Sequence, residues 1–303
     1  MSNTDTFRQY SWLINTVQRS QKITFEEIQK KWIDDDLNER KQLSRTTFYR
    51  LRHAIEDMFG ICIECDTNDG YQYFISNPEV LKDNSTQSWM LKTLSVDNLL
   101  IDSLTIKDRL VLEEIPGGTE YLQTIIKAIK DNHRLSMTHQ SFDAPEAKTM
   151  LIDPYCLKLF RQRWYILGKT SPSYDELRIF ALDRITALEE TEQSFEIDPN
   201  FQADDFFRYY YGTFIGGKPL RIVLRAHGTK MIRLLRTLPK HQSQIEIATT
   251  DTYSDFEYYM TPSFDFQQAI LKEGSELEVL EPVSFRDKIK QELNNAIKRY
   301  RNK

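Results

Sequence analysis

The stretch SRTTFYRLRHAIEDMFGICIECDTNDGYQYFIS, residues 44–76, carries two periodicities back to back. From Ser44 to Phe59 the apolar residues Phe48, Leu51, Ile55 and Phe59 recur at helical spacing and form one stripe. Ser44 is an N-cap residue, and Gly60 suits the left-handed position that ends a helix. From Ile61 the period drops to two. Ile61, Ile63 and Cys65 alternate with Cys62 and Glu64, Asn68-Asp69-Gly70 supplies a turn, and Tyr71, Tyr73 and Ile75 return, which is a hairpin pattern. Upstream, Phe7, Tyr10, Trp12, Leu13 and Val17 stand near helical spacing, and Ile23, Phe25, Ile28 and Trp32 continue it around Thr24, whose Glu27 three residues on completes a capping box. Three helices followed by a hairpin predict a winged helix-turn-helix.

The stripe on the 44–59 helix leaves Arg45, Thr46, Thr47, Tyr49, Arg50, Arg52 and His53 on its other faces. In helix-turn-helix geometry the N-terminal residues of this helix meet base edges. Arg45, Thr46 and Tyr49 are therefore the expected readers, with Arg50, Arg52 and Lys41 nearer phosphates and Ser44 and Thr47 in the same N-terminal turn. The competing reading is an ordinary solvated helix that happens to carry arginines. Charge distribution supports the first: the chain is at −5 overall, yet Arg40 to Arg52 holds five basic residues and no acid. A second acid-free block, Lys218 to Gln242, holds seven. A net acidic protein does not coat nucleic acid indiscriminately, so localised contacts are expected.

Asn77-Pro78 closes the first unit, giving a DNA-binding domain over 1–78. Helical material follows to about Asp131, interrupted near Pro116-Gly117-Gly118, and reads as a linker over 79–131. Alternating segments then recur at Leu135–Gln140, Met150–Leu159, Arg163–Gly168, Leu177–Leu182 and Ile185–Phe195, which suits a small β-barrel over 132–212. Residues 213–303 open with a strand Leu220–Ala226, add a helix Lys230–Leu238, strands near Ile245 and over Phe256–Met260, and end in a helix Phe285–Arg301. The expected class is α+β multidomain, closing with an α/β sandwich.

On a period-two strand Arg161, Arg163 and Tyr165 point one way and Trp164 and Ile166 the other. With Arg178, Arg184, Lys158, His139 and Ser141 in the same compact unit, these residues can line a pocket for phosphates or stacked bases. Pairing of the arginines with carboxylates such as Asp175 and Asp183 is the bland alternative. The stretch RQRWYILG, 161–168, resembles the signature strand of the WYL-domain transcription factor family, and RIFALDRI, 178–185, is similar to its following strand. Asp153-Pro154-Tyr155-Cys156-Leu157 resembles the family's proline-containing strand, and the region after Gly216-Gly217 resembles its C-terminal extension. The chain departs from the family in Ile166, where leucine is usual, and in His139, where tyrosine is common. The resemblance implies an Sm-like small barrel that senses a nucleotide or oligonucleotide effector, and an extension that joins in ligand or dimer contacts, with Arg225 as its candidate.

Other chemistries find no footing. Gly212-Thr-Phe-Ile-Gly-Gly217-Lys218 starts like a phosphate-binding P-loop, but Pro219 replaces the hydroxyl residue and a strand follows where a helix is required. Cys62 and Cys65 lie at i and i+3 on a strand, facing opposite sides, and three cysteines form no disulfide framework. The histidines never fall at metal-ligand spacing, so no metal, cofactor or catalytic apparatus is expected. The sequence lacks a signal-like start or an 18-residue apolar run. The expectation is a cytoplasmic homodimer on a double-stranded DNA operator, with no membrane partner, acting as a repressor by default. The alternative is an RNA- or single-strand-binding effector without operator specificity.

Overall fold

A computed structural model describes residues 3–35, 41–81, 89–91, 93, 109, 116–142, 144–170 and 176–301. Two compact units divide the chain, Met1–Leu112 and Glu113–Lys303. Much of the linker expected over 79–131 lies outside the described residues.

In the first unit the helices are α1 (Asn3–Ser20), α2 (Phe25–Asp34) and α3 (Arg45–Phe59), and the strands β1 (Ile23–Thr24), β2 (Ile63–Asp66) and β3 (Gln72–Ile75) form a sheet of order β1-β3-β2. The expected caps form. Thr24 and Glu27 exchange side-chain and backbone bonds at the start of α2, Ser44 Oγ accepts the Thr47 N–H, and Gly60 ends α3 at φ 65. One apolar core joins the elements through Leu13, Ile28, Trp32, Phe48, Leu51, Ile55 and Tyr73. The short β1 was not foreseen. It pairs Ile23 with Tyr73 and so ties the hairpin back to the start of α2.

The second unit opens with α4 (Leu122–Asp131) and continues through β4 (His133–His139), β5 (Lys148–Phe160), β6 (Arg163–Thr170), β7 (Leu177–Ala181) and β8 (Ile185–Ser194). These strands make one antiparallel sheet of order β7-β6-β5-β4-β8. All five begin within two residues of their expected starts. One sheet face packs Leu135, Met137, Ile152 and Ile166 against Ile125 and Ala128 of α4. The other buries Tyr155, Leu167 and Phe195 under Phe201, Phe206, Phe207 and Ile215, near the short helix α5 (Ala203–Phe207). A single 3-10 turn, Leu182–Arg184, joins β7 to β8. Gly118 makes that turn fit: at φ 93, an added Cβ would meet the Leu182 carbonyl carbon at 2.4 Å.

Beyond it, β9 (Leu220–His227), α6 (Gly228–Thr237), β10 (Ile245–Thr249), β11 (Tyr253–Met260), α7 (Phe264–Leu271), β12 (Leu277–Glu281) and α8 (Val283–Arg301) follow. The sheet order is β10-β11-β9-β12. Ile222, Leu224, Phe256, Tyr258 and Val279 form its buried face against Met231, Leu235, Phe266 and Phe285 of the helices. Among the described residues no helix is long and apolar enough to cross a membrane.

Candidate functional site

Helix α3 is aimed by contacts at both ends. Trp32 Nε1 donates to the Lys41 carbonyl at 3.2 Å and Gln29 Nε2 to the Leu43 carbonyl at 2.9 Å, fixing the turn ahead of α3 to α2. At the other end Asn77 accepts the Cys62 N–H at 2.9 Å and donates to the Gly60 carbonyl at 2.8 Å. Lys22 grips the hairpin through Asp66 at 3.0 Å and Asp69 at 2.8 Å. Ser44 and Thr47 are spent on the cap, their hydroxyls 2.9 Å apart. Lys41, Thr46, Tyr49 and Arg50 are exposed. Arg45 leans over the Phe25 ring at 4.6 Å with Nη2 3.3 Å from Glu26, and half-buried Arg52 lies 5.7 Å from both the Tyr49 and Tyr73 rings.

In the second unit five of the expected ligand residues meet. His139, Arg163, Tyr165, Arg178 and Arg184 line one cavity of about 530 Å³. The sheet explains the convergence: Tyr165 pairs with Ala181 across β6 and β7, and the 3-10 turn after Ala181 delivers Arg184. Arg163 is not idle. Its Nε and Nη2 hold the Asp183 carboxylate at 2.9 and 2.6 Å, the carboxylate pairing named above as the alternative. Arg184 lies 3.4 Å from the Phe142 ring centroid. Of the other expected residues, Ser141 and Lys158 are not in the cavity lining. Lys158 Nζ instead donates to the Gly212 carbonyl at 2.6 Å, 3.7 Å above the Phe207 ring, and burial lowers its pKa to about 8. Arg225 stands on the C-terminal sheet, paired with Asp255 at 2.7 Å over the Tyr253 ring. Arg161 leaves the strand alternation altogether, sitting in the turn after β5 at φ 50 and donating to the Tyr211 hydroxyl.

The remaining wall was missed by sequence reasoning. Thr213, Phe214, Ile215 and Asp265 line the same cavity, although they belong to the C-terminal part of the chain. Asp265, in the first turn of α7, accepts the Thr213 N–H at 2.6 Å and the Phe214 N–H at 3.1 Å through one oxygen. The only signal was the glycine motif 212–217, noted for a different loop. The face that carries Arg163 and Tyr165 continues along β6 through fully buried Leu167 to half-buried Lys169.

His139 sits at the back of the cavity, 9% exposed, its ring edge-on to Phe180 at 5.3 Å and its Nε2 without a hydrogen-bond partner among the described residues. Burial, and then the Arg184 charge, hold its pKa below 6.5, with Asp183 opposing. The unfolded chain therefore takes up this proton first as pH falls, and stability declines from about 6.5 down to the folded-state pKa, then levels. His241, lowered mainly by burial, adds to the same window. Thermal melts between about pH 7.5 and about pH 5.5 should show this decline, with a shallower slope in His139→Phe; an unchanged slope removes His139 as its source.

Two other features carry less. Asp131, His133 and Glu190 converge at metal-like spacing, but Lys127 Nζ already stands 2.6 Å from Glu190, so a cation fills the cluster. A cavity of about 710 Å³ runs beside Glu292, Asn295 and Lys298 of α8, and its described lining comes from that one helix.

Residues 120–190, from the turn before α4 into β8, match the family model of the WYL domain. Proteasome accessory factor B/C (PafBC) of Arthrobacter aurescens is 14% identical over 95% of this chain, with a TM-score of 0.36; the chain spans 46% of that protein's length. A structure described as a CRISPR Cas-related protein is 10% identical over 86% of this chain and 74% of its own, with a TM-score of 0.41. No curated protein matches the chain.

Proposed function

We propose, from the WYL domain at residues 120–190, that this chain is a transcriptional regulator whose binding to a double-stranded DNA operator responds to a nucleotide or nucleic-acid fragment. The observation that carries the reading is the convergence of three arginines and a buried histidine on one cavity of that domain, walled on its far side by the C-terminal region. Arginine forks and cationic pockets suit phosphate oxygens. In this reading residues 1–78 are a winged helix-turn-helix, with α3 as the reading helix and the β2–β3 hairpin as the wing, followed by a helical linker over 79–131. Residues 132–212 are the Sm-like small barrel and 213–303 the WYL extension. The protein works as a cytoplasmic homodimer, as a repressor by default and without catalysis, on half-sites about one helical turn, or a multiple of it, apart. An effector acts only through its different affinity for the two dimer shapes.

A gel shift with the promoter of its own gene tests the reading. Arg50→Ala is expected to weaken binding on all sequences and to lower the salt slope by about one. Thr46→Ala or Tyr49→Ala is expected to relax preference at one base pair, at about 1–3 kcal/mol. Binding of equal strength to single strands, RNA and duplex, with a steep salt slope and no sequence preference, would instead support an effector without an operator.

A further inference from the structure

Next to the cationic cavity lies a second one of about 500 Å³, and the two share Leu177 and Ile215 in their walls. Its character is different. Tyr155, Phe201, Phe206 and Tyr210 line it, linked in series by ring contacts: Tyr155 to Phe201 at 5.0 Å, Phe201 to Phe206 at 5.8 Å and Phe206 to Tyr210 at 5.7 Å. Glu176 and Asp198 stand at its edge, both exposed, together with Lys169, whose Nζ is 5.9 Å from the Tyr155 ring centroid. Three of the four rings lie beyond residue 190, where the WYL match ends.

We propose that this aromatic groove is a base-stacking subsite continuous with the phosphate pocket, so that the effector is an oligonucleotide of at least two units. The proposal rests on the reading of the cationic cavity as a phosphate site. The two cavities divide the chemistry of a dinucleotide between them, the first unit's phosphate in the cationic one and the second unit's base in the groove. Arg178 and Arg184 offer positive charge and His139 a ring nitrogen on one side of Leu177, while the groove offers flat apolar walls to a base, whatever its identity. Two carboxylates against one ammonium disfavour a phosphate in the groove and accept from the amino groups of adenine, cytosine or guanine. The phosphate end and the base end are thereby oriented. Packing alone accounts for part of this aromatic cluster, since Tyr155 joins Leu167 and Phe195 in a core. It does not account for an open cavity lined by Phe206 and Tyr210 that meets the cationic one.

Calorimetric titration of the full chain with 5′-phosphorylated adenosine, the dinucleotide pApA and the dinucleotide pApU tests this without altering the protein. The dinucleotide pApA is expected to bind roughly tenfold or more tighter than the mononucleotide, and pApU to gain less. Tyr210→Leu and Phe206→Leu should each remove most of the dinucleotide gain while leaving the mononucleotide affinity as it was. Equal affinity for mononucleotide and dinucleotide in the unaltered protein, or a gain that survives in both variants, overturns the subsite and leaves the phosphate pocket standing. Failure of every one of these ligands to bind overturns the pocket reading itself.

Discussion

Gly212→Ala is expected to destabilise the second unit by about 3 kcal/mol or more and to abolish effector binding. Two separate costs add. Gly212 sits at φ 86, in the region that residues with a Cβ avoid. An alanine Cβ there would also lie 2.2 Å from Asp265 Oδ2 and 2.6 Å from Asp265 Cβ. Because the near atoms include the base of the side chain, Asp265 cannot yield by rotating its tip alone. Moving it releases the Thr213 and Phe214 amides it now accepts, and these residues wall the cationic cavity. The Gly212 carbonyl, held by half-buried Lys158, is displaced with them. Gly228→Ala provides the comparison: it has φ 77 but nothing within 4 Å of the added Cβ, so only the backbone cost applies. Urea melts of the two variants, with phosphorylated adenosine titrated into each, should differ by the packing share. Equal stability and equal affinity in both would show that Asp265 does not set the pocket wall.

The second large effect is expected in the other unit. Phe48 is fully buried, with its ring 5.3 Å from Phe25 and 4.7 Å from Tyr73, so one side chain joins α2, α3 and β3. Truncation to alanine should cost about 3–5 kcal/mol, the range for large aromatic residues in a core. That is most of the stability of a small unit. Operator binding should fail although Arg50, Thr46 and Tyr49 are untouched, whereas effector titration of the second unit should give an unchanged affinity. A melt showing a loss under about 1 kcal/mol would mean that the site collapses to fill the gap and that Phe48 is not the joint described.

How far the residues announced this arrangement depends on the distance over which each contact reaches. Caps and periods are local, and Thr24, Glu27, Ser44 and Gly60 behave as their neighbours dictate. Every strand of the five-stranded sheet was visible because alternation there runs for five residues or more. The helix at Phe264–Leu271 and the strand at Leu277–Glu281 were not visible: the first is barely two turns, and the second turns only Leu277 and Val279 fully inward. The pocket shows the same division. Arg163 and Tyr165 follow from the strand period, but Thr213 to Ile215 and Asp265 arrive by tertiary closure, which no spacing encodes. Lys158 illustrates the limit. It pairs across the sheet with Tyr165, yet a carbonyl from a distant loop draws its ammonium away.

The seam between strand-borne cations and a loop from the far end of the chain has a consequence for how such proteins diversify. Neither part alone lines the whole cavity, so exchanging residues 213–303 between two such proteins is expected to alter ligand preference. A chimera that takes residues 213–303 from one parent and the strands from the other is then expected to bind either parent's ligand more weakly than that parent does, because each cavity wall meets a partner it was not matched to.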